Sequence, residues 1–231
     1  MKQSFNARKE GQFYVWFFLG AAALISGILW SNPVIALLFA AVPLALAAFT
    51  MYFFRDPDRA ISDAPGDVVS PADGTVVGVE DLESSPHYDG PCKRISIFLS
   101  VFNVHVNRSP FEGAVEEVVY RPGRFRNAMR ADTTDVNESN TIRLSTPRGP
   151  MTVRQISGLI ARRIVCKCEV GDTLARGEKF GMIKFGSRTE LYLPPDAQIC
   201  VKLRGRVAGG STVVARFPGQ TKQVGTSTET Q

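Results

Sequence analysis

Charge is missing from one long part of this 231-residue chain: from Gly11 to Phe54, 44 residues, there is no Asp, Glu, Lys or Arg. An apolar stretch of that length belongs to a bilayer rather than to a soluble core. All 49 charged side chains, 27 Lys+Arg against 22 Asp+Glu for a net charge of +5, fall in the other 187 residues. The mean hydropathy of −0.02 therefore averages two unlike parts, one for lipid and one for water. Disorder, collagen and a polytopic transporter are excluded by this composition, and no nucleic-acid partner is expected. Histidine is scarce, with only His87 and His105, so proton transfer near neutral pH has few places to reside. Of four cysteines, Cys92, Cys166, Cys168 and Cys200, only the pair at 166 and 168 is close-spaced. On a strand that pair shares a face and could touch a metal, but no second pair stands at zinc spacing. The four read as reduced, partly buried thiols, and no metal is expected.

Within the uncharged stretch, Phe13–Trp30 and Val34–Phe54 are apolar runs of 18 and 21 residues. As helices they reach about 27 and 31 Å, close to the hydrocarbon thickness of a membrane. Ser31-Asn32-Pro33 between them is an uncharged turn, so the two form a helical hairpin, with Pro43 expected to kink the second helix. Lys2, Arg8 and Lys9 precede the first run and Arg55 and Arg59 follow the second, which places both ends, and the charged part of the chain beyond Arg59, on the cytoplasmic side of the cell membrane. The alternative is a cleaved signal peptide with Lys2 to Lys9 as its basic region, and the second apolar run directly afterwards makes it the weaker reading.

Beyond Arg59 the pattern is mainly β. Strands are expected over Val68–Val79, Arg94–Val106, Ala114–Tyr120, Thr141–Leu144, Met151–Ile156 and Ile164–Glu169, separated by turns such as Ala72-Asp73-Gly74 and Arg121-Pro122-Gly123. One short helix is expected near Phe125–Arg130 and a further turn at Gly158–Arg162. Leu174–Phe180 and Val207–Val213 share one layout, an apolar residue, a turn glycine and a second apolar residue three positions apart. That pattern fits a turn feeding a strand in a compact barrel-sandwich-like β domain, as in lipoyl and biotin carriers. The fold class is thus mainly β (α+β) with few short helices, behind a transmembrane hairpin. Residues 1–59 form the anchor, 60–218 the domain, and 219–231 a polar flexible tail.

Strand alternation places Asn103, His105 and Asn107 on one polar face, which makes His105 a candidate for proton transfer; a satisfied structural histidine fits as well. His87, in a Ser-, Pro- and Gly-rich loop, reads as a solvated surface residue. Asp73 sits where a turn wants Asp-Gly. Two Gly-Ser pairs, Gly186-Ser187 and Gly210-Ser211, offer a nucleophile behind a permissive backbone, or simply a turn.

Jointly these segments resemble the short form of the phosphatidylserine decarboxylases, which depend on a pyruvoyl group. The resemblance runs through Tyr52-Phe-Phe-Arg-Asp-Pro57, Ser70-Pro-Ala-Asp-Gly74 and Asn103-Val-His-Val-Asn-Arg-Ser-Pro110. It continues through Tyr120–Ala128 and Gln155–Arg163 to Phe180-Gly-Met-Ile-Lys-Phe-Gly-Ser187. It implies a zymogen that cuts itself at a Gly-Ser bond and converts the serine into an N-terminal pyruvoyl cofactor, which links to the substrate's amine as a Schiff base. The upstream context selects Gly186-Ser187 over Ser211. The products would be a long chain 1–186 and a short chain 187–231. By the same resemblance His105 takes the Ser187 proton and Asp73 orients the imidazole. Where long-form members carry a second histidine, this chain has Arg108, a candidate for binding the lipid phosphate or carboxylate. The expected activity converts phosphatidylserine, held in the membrane, to phosphatidylethanolamine in phospholipid biosynthesis; a homo-oligomer is left open. The rivals are a membrane-tethered lipoyl-like carrier or adaptor, a hydrolase using either serine with its chain intact, and a decarboxylase of a serine-headed ether lipid. On this reading the hairpin is an anchor, and deleting residues 11–54 spares self-cleavage.

Overall fold

The computed structural model describes residues 5–129, 134–159, 163–184 and 186–218. The tail from Gly219 lies outside them, as do Arg130 and most of the turn expected at Gly158–Arg162. Two helices lead: α1 (Ala7–Ile28) and α2 (Pro33–Phe53), both long and apolar enough to cross a membrane. Asn6 caps α1, its side-chain oxygen accepting from Arg8 and Lys9 N–H at 3.0 and 3.4 Å. Asn32 caps α2 with Pro33 in the first turn, where a missing N–H costs nothing. Pro43 lies inside α2, which continues unbroken to Phe53. Phe13, Trp16, Phe17, Leu37, Leu38 and Phe39 are exposed, an apolar surface suited to lipid.

Fourteen strands follow: β1 (Asp67–Val69), β2 (Gly74–Leu82), β3 (Cys92–Leu99), β4 (Val106–Arg108), β5 (Gly113–Arg121), β6 (Ser139–Thr146) and β7 (Gly149–Ser157), then β8 (Arg163–Cys166), β9 (Thr173–Leu174), β10 (Lys179–Lys184), β11 (Ser187–Leu193), β12 (Gln198–Ile199), β13 (Arg206–Val207) and β14 (Val213–Arg216). Eight of them, in the order β13-β2-β3-β11-β7-β6-β5-β9, make an antiparallel sheet that curls into a half-barrel; β1-β14-β12 and β4-β10-β8 form two three-stranded sheets. Ile95, Ile97, Leu99, Leu191, Leu193, Met151 and Val153 alternate onto its inner face as the apolar core. The opposite face of the central strands is also buried. There Glu190 lies among Arg94, Arg154 and Arg188, and its Oε2 accepts from the Tyr192 hydroxyl at 2.8 Å. His87 packs on that face against the Tyr192 ring at 5.8 Å and is buried, not solvated.

Two local expectations change. The run Arg94–Val106 is not one strand: β3 stops at Leu99, because the Asn103 side chain accepts from the Ser100 N–H (2.9 Å) and hydroxyl (2.8 Å) and closes a turn. No helix forms over Phe125–Met129. Asn137 binds the Arg126 N–H and carbonyl, both at 2.9 Å, and so takes the backbone groups a helix would use.

The short repeat is part of a larger one. Ser70-Pro-Ala-Asp-Gly-Thr-Val76 and Ser109-Pro-Phe-Glu-Gly-Ala-Val115 share a layout that reading by local periodicity passes over. Each serine hydroxyl donates to the carbonyl two residues on, at 2.7 Å, and each serine carbonyl accepts from a repeat glycine, Gly210 or Gly177, at 2.8 Å. The halves interlock where Val69 N–H donates to Pro110 O and Arg108 N–H to Pro71 O. Ile61 fills the space beside both Gly177 and Gly210.

Candidate active site

Ser187 opens β11 at the centre of the sheet, opposite Leu99 on β3 and Ser157 on β7. It is fully buried, and its Oγ has no hydrogen-bond partner among the described residues. An unpartnered buried hydroxyl is costly, and Ser187 shares that state with Ser157 opposite it on β7. Gly186, just before it, has φ +69°, which a side chain would strain. Its carbonyl oxygen lies against the Cα of Gly158: a Cβ there would sit 2.2 Å from that oxygen. Only glycine at 158 leaves room for the carbonyl of the 186–187 bond.

His105 is brought to the same glycine, Gly186. Gly186 N–H donates to its Nε2 at 3.2 Å, while Nδ1–H donates to the Asn103 carbonyl at 2.9 Å. The second bond fixes the tautomer that leaves the Nε2 lone pair toward Gly186. Burial lowers the imidazole's pKa to about 4, with the Arg55 charge acting the same way and the Asn103 bond opposing. The ring is therefore neutral at neutral pH, the state a general base needs. Below lies a buried polar ladder: Asn107 donates to Thr189 Oγ1 (3.1 Å) and accepts from Gln155 (2.9 Å), which in turn accepts from Asn140 (3.0 Å).

The other sequence candidates lie elsewhere. Asp73 does not orient His105. Its Oδ2 pairs with Arg59 at 2.8 Å and its Oδ1 accepts from Gly209 N–H at 2.7 Å. Its counterpart in the second half, Glu112, makes the same kind of pair with Arg176 at 2.9 Å. Burial raises the Asp73 carboxyl's pKa, against the pull of Gly209 and Arg59. Arg108 is buried and occupied, donating to Gly177 O (3.0 Å) and Pro57 O (3.3 Å) beside Asp56 at 3.6 Å, so it is not presented to a substrate. Ser211 lies in a turn, its N–H on Ala208 O, and Gly210 before it packs on Arg108 and Ile61 rather than on a histidine. Cys166 and Cys168 face each other with Sγ atoms 3.3 Å apart.

Sequence reasoning missed the contribution of the hairpin. The Phe53 ring lies tilted against His105, centroids 4.3 Å apart and planes 31° from parallel. Phe5, Ala7, Phe53 and Phe54 share one apolar cluster with Val104, Val106, Val165 and Met182. Lys184, three residues before Ser187, is buried and pairs with Glu10 of α1 at 3.1 Å. Asp56 holds Lys179 at 2.7 Å as well as Arg108, so Arg55–Ile61 straps the hairpin to the domain. The signal was present in Tyr52–Arg59, whose alternating charges pair with residues far along the chain.

Known proteins share this sequence over most of its length. The family model described as phosphatidylserine decarboxylase matches residues 46–215. A phosphatidylserine decarboxylase proenzyme of Magnetococcus marinus is 43% identical over 222 residues, covering 95% of this chain and 99% of that protein. One of Carboxydothermus hydrogenoformans is 41% identical over 95% of this chain and 100% of its own length. One of Rhodopirellula baltica is 48% identical over 183 residues, 77% of this chain and 75% of that protein.

Proposed function

The chain belongs to the phosphatidylserine decarboxylase family, and on that premise we propose that it is a proenzyme which cuts itself before Ser187 to become the mature enzyme. The enzyme is a carboxy-lyase that converts phosphatidylserine to phosphatidylethanolamine, and the carrier alternative is not favoured. The observation that carries the self-cleavage reading is the neutral His105 Nε2 held at Gly186 beside a buried Ser187 hydroxyl without a partner.

His105 Nε2 exchanges its long bond to Gly186 N–H for the Ser187 hydroxyl and takes its proton. Ser187 Oγ attacks the Gly186 carbonyl carbon, the C–N bond breaks, and the amine nitrogen takes up a proton. The chain is then joined through an ester. Loss of the Ser187 Cα proton expels Oγ with Gly186 as a carboxylate, leaving dehydroalanine. Addition of water and loss of ammonia give the pyruvoyl group at the new N-terminus. The site fits that group: it is buried, and Gly186 and Gly158 leave the reacting carbonyl unencumbered. When formed, the group supplies a carbonyl that takes the substrate amine and accepts the electrons left by departing CO₂. His105 Nε2, which accepts from Gly186 N–H, would hold the proton that replaces CO₂ on the substrate carbon.

The short chain 187–231 stays attached because β11 is ladder-bonded on both sides, to β3 and β7. The hairpin sets the site at the membrane surface, and the flanking Arg8, Lys9, Arg55 and Arg59 favour the cytoplasmic side. Intact mass under denaturing conditions tests the reading. Two chains are expected, the shorter beginning at residue 187 with a blocked N-terminus, together with CO₂ release from phosphatidylserine. Ser187→Ala is expected to leave one full-length, inactive chain. A single chain in active wild-type protein would sink the proposal, and a blocked fragment starting at 211 would move the cut to Ser211.

A further inference from the structure

We propose that the phosphatidyl part of the substrate seats in the seam between the first turns of α1 and the last turns of α2, with its phosphate on Arg8, Lys9 and Arg55. This rests on the decarboxylase reading and names how that same site takes its lipid. A cavity of about 500 Å³ opens there, its bed formed by Val15, Trp16 and Met51 and its rim by the three cations. Among the described residues no carboxylate is ion-paired with any of the three (Glu10, next to Lys9, is held by Lys184, and Asp56, next to Arg55, by Lys179 and Arg108).

An apolar slot with a cationic rim complements an amphiphile whose charge is a phosphodiester and whose body is hydrocarbon. Position singles out which amphiphile. The slot lies at the end of the hairpin that meets the β domain, so it opens at headgroup depth on the side of Ser187. Phe54 forms its wall, and the next ring, Phe53, lies against His105. A phosphate on the rim thus leaves its headgroup two phenylalanine rings, Phe54 and Phe53, from His105, and the acyl chains run along the hairpin into the bilayer. Arg108, the residue that the sequence pattern offers for the phosphate, is enclosed by Asp56, Pro57 and Gly177. Arg55, held by the carbonyls of Tyr52 and Phe102, stands instead at the mouth between slot and site.

The test uses full-length processed protein in mixed micelles of neutral detergent, where lipid charge does not decide recruitment. Arg8→Gln combined with Lys9→Gln is expected to raise the apparent KM for phosphatidylserine about tenfold with kcat within about twofold, as for loss of charged contacts made in ground and transition states alike. Val15→Trp, which fills the bed, is expected to raise KM for phosphatidylserine but not for glycerophosphoserine, which lacks acyl chains. Formation of both fragments in each variant verifies the fold. In a second measurement, the Ser187→Ala precursor is photolabelled by phosphatidylserine carrying a diazirine in its acyl chain. Label is expected on the peptides holding Val15, Trp16 or Met51 and is lost in the Val15→Trp background. Unchanged KM in all variants overturns the site, and so does label competed as well by phosphatidylglycerol as by phosphatidylserine with KM unmoved, which marks a structural lipid. Wild-type protein that releases no CO₂ from either substrate overturns the decarboxylase reading instead.

Discussion

At the scale of single residues, the site depends on what is withheld. Gly158 has no Cβ, so the Gly186 carbonyl can lie on its Cα, with Ala128 beside the same spot. Gly158→Ala must displace that carbonyl, and a misplacement of about 1 Å costs on the order of 10²-fold in rate. Self-cleavage is expected to slow to that extent while the thermal midpoint stays within a few degrees of the Ser187→Ala precursor. A large drop in the midpoint would instead assign Gly158 to folding. His105 has water withheld, and the sign of its pH dependence follows. Only the neutral imidazole accepts the Ser187 proton, and burial lowers the pKa from the ordinary 6.5 to about 4. The base therefore stays competent as pH falls through 6.5 and is lost only near 4. Cleavage rates of purified precursor are expected to be level from about pH 8 to about pH 5, whereas an ordinary histidine would lose about nine-tenths of the rate by about pH 5.5. A midpoint near 6.5 would show that the base is solvated or is another group.

At the scale of elements, β11 would link processing to cohesion, because on the proposed reading it begins at the cut and becomes the head of the short chain. Its inner face carries Leu191 and Leu193 into the core, and its outer face carries Glu190 among three arginines. Removing one member of such a buried cluster leaves the others uncompensated, at a cost of about 3–5 kcal/mol. Glu190→Ala is expected to lower the thermal midpoint by several degrees and to let the short chain dissociate from the long one in mild denaturant, read by size exclusion; a short chain held as firmly as in wild type would make the cluster incidental. Part of this was legible beforehand. Apolar run length gave both helices to within a few residues at most ends, and alternation found most of the long strands. The resemblance offered Gly186-Ser187 and His105, and the structure brings His105 to Gly186. What escaped was set by partners distant in sequence. Asn137 takes the backbone groups of an expected helix, Asn103 ends an expected strand, and Arg59 claims Asp73. Local periodicity holds no record of such bonds. The Ser-Pro-x-Asp/Glu-Gly repeat was readable, but it declares its meaning only when the two copies interlock.

At the scale of the whole molecule, the membrane hairpin and the β domain are not separable parts. An anchor alone would be joined by a linker and could be cut away without touching chemistry. Here Phe53 covers the His105 ring, Phe53 and Phe54 complete an apolar cluster with Val104, Val106 and Met182, and Glu10 neutralises the buried Lys184. Deleting residues 11–54 therefore strips the cover from the base, contrary to the expectation that self-cleavage, being internal, would be spared. Hydration of the ring should let its pKa rise toward 6.5, which puts part of the imidazole in the charged form at neutral pH and leaves its angle to Gly186 less constrained. The truncated precursor is expected to cleave at least about tenfold more slowly at neutral pH, with the lower limb of its pH–rate profile moved upward. Phe53→Ala in the full chain is expected to reproduce that upward shift with the anchor still in the membrane. The profile separates the two roles: an anchor cannot move a pKa, whereas a cover must. A folded truncated chain that cleaves at the wild-type rate with the wild-type profile would return the hairpin to the status of a tether.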